Sequence, residues 1–121
     1  MANCQFGIGG ALDLRQGSCV TPEELKARTK TFALRILNLA EKLPRGVKGR
    51  VLSGQIARAG TSVAANYRAA CKARSKAEFI AKIGIAEEEA DETLYWLDLL
   101  KESVPFRQEM KERWRLKARK Y

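Results

Sequence analysis

Residues 47–74 read VKGRVLSGQIARAGTSVAANYRAACKAR, and their spacing decides the fold. An inward face runs through Leu52, Ile56, Ala59, Val63, then Asn66 or Tyr67, and Ala70. Gaps of three and four residues line one side of a helix. The same stretch is rich in small residues: Gly54, Ala57, Gly60, Ser62, Ala64, Ala65 and Ala69. Alanine favours helix on its own account, but a mid-helix glycine costs about 1 kcal/mol against it. The two glycines therefore point to close approach by a neighbouring helix.

Upstream, Thr21-Pro22-Glu23-Glu24 opens a first helix. Thr21 serves as N-cap, Pro22 occupies the position where a missing donor costs nothing, and Glu24 completes a capping box. Leu25, Thr29, Phe32, Ile36, Leu39 and Leu43 follow at alternating three and four, and Pro44 with Gly46 stops the helix. Downstream, Ser75 and Glu78 form a second capping box, so a tight junction separates the second helix from an antiparallel third. Phe79, Ile83, Ala86, Ala90, Leu94, Leu97 and Leu100 mark its stripe, with Gly84 as another point of close contact. Ending near Ser103, it spans about 29 residues or roughly 43 Å. Pro105 precedes a weaker stripe of Phe106, Met110, Trp114 and Leu116 in a short last helix. The expected fold is all-α: an antiparallel, up-down-up-down four-helix bundle with a short fourth helix. Residues 1–20, with Gly7, Gly9, Gly10 and Gly17, read as a loose leader, and residues 21–121 as one bundle domain. No period-two alternation is long enough to suggest a sheet.

The chain of 121 residues carries 45% hydrophobic and 31% charged residues, a globular balance in a single domain that needs no metal to hold it. Cysteines stand at 4, 19 and 71, an odd count without a C-x-x-C pair, which suits free thiols in a reducing cytoplasm. Cys71 reads as a small packed side chain. No apolar run reaches the length of a membrane span, and the first ten residues lack the pattern of a secretory signal.

The chain has no histidine, which removes the usual general base, imidazole metal ligands and the Ser-His and Cys-His pairs. Neither a P-loop nor a dinucleotide-binding fingerprint is present. No enzyme activity, cofactor or resident metal is expected. Glu87, Glu88, Glu89, Asp91 and Glu92 could hold a divalent cation, but they read first as an acidic flank awaiting a basic surface. The net charge of +9 favours polyanions, nucleic acid before an anionic membrane. Arg50, Arg58, Arg68, Lys72, Arg74 and Lys76 are the candidate nucleic-acid contacts, with Arg68, Lys72 and Lys76 spaced by four as if on one face. The tail adds seven more bases from Arg107 to Lys120. No aromatic residues interleave with these cations as they do on a stacking platform, so backbone or shape contact is expected rather than base readout. Trp96 and Trp114 read as packing, and Asn66 as a structural polar group.

The stretch from Gly54 to Ala70, followed by Arg74-Ser75-Lys76-Ala77-Glu78-Phe79 and the acidic Ala86–Glu92 with Leu94, resembles the four-helix bundle protein family. That family includes the 23S rRNA intervening-sequence proteins and the accessory variability proteins of diversity-generating retroelements. The resemblance covers about residues 22–103. It implies an antiparallel bundle assembled as a homopentameric ring, with Gln55, Arg58, Ser62 and Asn66 in a structural motif and Ser75, Glu78 and Phe79 at the helix junction. Ala64 and Arg68 stand where many members carry proline and an acidic residue, which makes this helix straighter and more basic. Two functions follow as expectations. One is a nucleic-acid-binding accessory protein (RNA or DNA), with a reverse transcriptase as candidate partner. The other is an interaction or scaffold module that touches no nucleic acid.

Overall fold

The computed structural model describes residues 11–13, 18–103, 111–112, 115–116 and 119. Two short strands, β1 (Ala11–Asp13) and β2 (Ser18–Val20), pair antiparallel with Ala11 opposite Val20 and Asp13 opposite Ser18. The segment read as a loose leader thus holds a small ribbon. Three helices follow: α1 (Pro22–Glu41), α2 (Val47–Ala70) and α3 (Lys76–Glu102).

Each boundary has a local cause. At the start of α1 the Glu24 N–H donates to the Thr21 hydroxyl at 3.2 Å, and the Thr21 N–H donates to the Glu24 carboxylate at 3.0 Å, the full reciprocal box. Past Glu41, Lys42 N–H turns back to Leu39 O at 3.0 Å, and Pro44 has no N–H with which to continue. Gly46 caps α2 through its backbone only, with no side-chain bond. The expected run of the second helix to Arg74 stops four residues earlier, at Ala70. Ser75 must be extended to cap α3, at φ −146° and ψ 160°. The chain reaches it through a tightened turn in which Lys72 N–H and Ala73 N–H donate to Ala69 O and Ala70 O. Ser75 accepts from Glu78 N–H at 3.1 Å, while Glu78 reaches one residue further back than a standard box, to the Arg74 N–H at 2.8 Å.

α2 lies in the middle, packed on α1 along one side and on α3 along the other. The core cluster joins Ile36 and Leu43 of the first hairpin arm to Leu52 and Ile56 of α2 and Leu100 of α3, with Phe32, Leu39, Trp96 and Leu97 against it. On α2 the inward face is as read except that Val63 is half-buried, and the choice at its fifth position is settled: Tyr67 is buried, whereas Asn66 is half-buried and donates to Ser62 O at 2.9 Å within its own helix. Gly60 is a true close contact, since a Cβ there would lie 2.6 Å from Ile36 Cγ2. Gly54 and Gly84 are not: a Cβ at either would meet nothing within 4 Å.

On α3 the buried line is Phe79, Ala86, Thr93 and Leu100, a repeat of seven. The expected Leu94 and Ala90 are exposed instead, Leu94 at 57%. Thr93 takes the interior place because its hydroxyl donates to Glu89 O at 2.7 Å, which removes the cost of burying it. The expected free thiol at Cys71 is also corrected: Cys71 is buried and disulfide-bonded, so thiol count no longer argues for a reducing compartment. The described residues support three helices. Pro105, Phe106, Met110 and Trp114 of the expected fourth lie outside them, while residues 111–112 and 115–116 are helical and Leu116 is 62% exposed. No described helix is long and apolar enough to cross a membrane.

Candidate nucleic-acid interface

The basic residues singled out in the sequence fall into three environments. Arg58, half-exposed on α2, is committed to α3: its Nη1 donates to Glu89 at 3.3 Å and its Nη2 to Glu92. Glu92 also accepts from Trp96 Nε1–H at 3.1 Å, and the Trp96 ring meets Tyr95 edge-on at 5.0 Å. The Trp96 indole N–H and then Arg58 hold the Glu92 carboxyl below its ordinary range, and the Glu92 hydrogen bond holds the Arg58 guanidinium above its own. Arg58 thus pairs α2 with α3 through both of its terminal nitrogens. The acidic flank of α3 finds within its own chain part of the basic surface it called for, and no described group of side chains could hold a metal ion.

Arg50, Arg74 and Lys76 are exposed and scattered: one in the first turn of α2, one in the α2–α3 turn, one at the first position of α3. Lys76 does not continue the row of Arg68 and Lys72, because the helix that would carry it there ends at Ala70.

Arg68 and Lys72 are brought together with two residues that sequence spacing missed. Lys26 and Lys30 of α1 face them across a groove of about 660 Å³, floored by Ala27, Ala64 and Ala65. No acidic side chain lines it, and among the described residues none of the four cations is in a salt bridge. On α1 the two lysines show the i, i+4 spacing of a helix face, whereas on the other wall Arg68 belongs to α2 and Lys72 to the turn just past its end. The missing signal was the antiparallel register of the hairpin, which Ile36 on Gly60 fixes: it brings Lys30 level with Arg68, and Lys26 with Lys72, within about one helical turn. A second, shallower depression of about 540 Å³ on α3 is lined by Glu87, Glu88, Ala90, Asp91 and Leu94.

A central helix flanked by two antiparallel partners, with one basic seam and one acidic outer face, defines a small helical-bundle protein. Residues 23–120 match the family described as 23S rRNA-intervening sequence protein, and the chain belongs to that family. Among solved structures it is similar to a protein of unknown function from the S23 ribosomal protein family of Bacteroides thetaiotaomicron. The two are 44% identical with a TM-score of 0.62, over 73% of this chain and 82% of that one. Comparison with curated proteins gives no match.

Proposed function

We propose that this chain is a non-enzymatic, nucleic-acid-binding accessory protein that works as a homo-oligomer. The observation that carries the reading is the groove in which Lys26, Lys30, Arg68 and Lys72 have no acidic partner among the described residues. Four like charges gathered on two walls repel one another in the free protein, and a phosphate backbone relieves that repulsion while releasing its own counterions. No aromatic residue lines the groove, so contact follows backbone and shape, not base identity. No cofactor or metal takes part. The assembly is the pentameric ring that the family resemblance implies, supported by the exposed Ile80, Leu94 and Tyr95 on the outer side of α3. A reverse transcriptase is the candidate protein partner.

The test is binding to structured RNA and duplex DNA, measured by anisotropy between about 50 and 200 mM salt. Affinity falling linearly on a log–log plot supports the reading. Absence of binding at low salt, or a flat salt response, removes it. Light scattering tests the assembly, and a monomer at micromolar concentration overturns it.

The depression on α3 favours a second reading, an interaction module that touches no nucleic acid. Its carboxylates Glu87, Glu88 and Asp91 surround the exposed Leu94. Affinity capture that recovers nucleic acid and no protein counts against it.

A further inference from the structure

Resting on the reading above, we infer that the groove between α1 and α2 takes successive phosphates of a single polynucleotide strand in preference to a duplex. The cations form two rungs. Lys30 with Arg68 makes one and Lys26 with Lys72, in the turn just past the end of α2, the other, and the helical step from Lys26 to Lys30 on α1 sets the rungs about 6 Å from each other. Each rung offers positive charge from opposite walls. A phosphate that sinks between the walls is clasped from both sides, whereas a duplex phosphate presents only its outward oxygens to a surface.

The shape favours the strand. Packed helix axes stand about 8–10 Å apart, and Gly60 against Ile36 draws these two close. A duplex, whose major groove alone is about 12 Å wide, is too broad to enter such a seam. Its volume of about 660 Å³ falls within the ~300–1,000 Å³ of ordinary ligand pockets, room for a short run of nucleotides. The floor is methyl groups: Ala27, Ala64 and Ala65 keep it open, and the aliphatic stems of the lysines and arginine can lie along them. With no ring on the walls to stack a base, the bases face outward and binding tolerates sequence.

The probes are an unstructured oligouridylate of about 12 nucleotides, comparable to the site sizes of single-strand binders, an RNA duplex of equal length, and inorganic polyphosphate. The wild-type chain is expected to bind the oligouridylate at least tenfold more tightly than the duplex. The double variant Lys30→Ala with Arg68→Ala removes one rung; affinity for the oligouridylate falls about tenfold and the salt slope shrinks by roughly 1.4, two contacts at about 0.7 each. Ala65→Glu, which plants an acid on an exposed floor position, weakens it similarly with both rungs intact. Circular dichroism checks that both variants keep their helices. Oligouridylate binding unchanged in both variants shows that the groove is not the site, although nucleic-acid binding through another surface would stand. Equal or tighter binding of the duplex overturns the single-strand preference. Polyphosphate bound more tightly than the oligouridylate overturns the polynucleotide assignment. Failure to bind any polynucleotide removes the parent reading as well.

Discussion

The two flanks of α2 treat the same kind of residue in opposite ways. Toward α3, its cation is spent: Arg58 meets Glu89 and Glu92, and Trp96 completes the set. Toward α1, the cations Arg68 and Lys72 meet more cations, Lys26 and Lys30, around a groove without acids. One seam uses charge to hold helices together, and the other gathers like charges with no acid lining them. Net charge alone hides this difference, because the +9 of the sequence counts both seams alike.

The comparison can be broken most forcefully at the core that both seams share. Ile56 is fully buried in the cluster joining all three helices, so Ile56→Ala should cost about 2–5 kcal/mol in chemical denaturation. Gly60→Ala acts on the α1 seam alone: the new Cβ must displace Ile36, at about 1–3 kcal/mol. Its polynucleotide affinity should fall too, because the groove walls are pushed apart. Gly54→Ala is the contrasting case. With nothing within 4 Å of the added methyl, it should stabilise the chain by about 0.5–1 kcal/mol. A loss there would mean that the free surface of α2 near Gly54 is covered in the assembled protein.

The smallest effects sharpen the contrast. Arg58→Ala should lower the melting temperature slightly and leave polynucleotide affinity unchanged, whereas Arg68→Ala should lower affinity and leave the melting temperature unchanged or higher. Acid titration adds a sign. The Glu92 carboxyl is held below its ordinary range when folded, so its contribution is complete above that range and is lost as pH falls through the lowered value. A melting curve followed from pH 7 downward should show that loss in wild type and a weaker one in Glu92→Gln.

Much of the helical scaffold was legible from local rules. Thr21 with Glu24, Ser75 with the Glu78 N–H, and the Pro44-Gly46 stop each act within a few residues, and spacing alone found the inner face of α2. What was not legible depends on partners far along the chain. Arg58 reads as a free cation until the carboxylates 31 and 34 residues later are set beside it. Lys26 and Lys30 read as ordinary surface residues of α1 until the hairpin register brings them to Arg68 and Lys72. Thr93 and Leu94 exchanged places because hydrophobicity favours leucine inside, while a hydroxyl bonded to its own helix is as quiet a neighbour as a methyl group. Cys71 looked like a packed thiol because an odd number of cysteines does not say which of them is crosslinked.

The line of Phe79, Ala86, Thr93 and Leu100 has a geometrical consequence for α3 as a whole. A straight helix turns a seven-residue repeat aside by about 20° at every step. Over the three steps of this line, a rigid rod would swing Leu100 well off the surface that Phe79 touches. A line of buried residues at this repeat favours a shallow left-handed supercoil of α3 over a straight rod. The helix is then a strand of rope and not a strut, and a one-residue deletion anywhere between Phe79 and Leu100 would unlay it from that point onward.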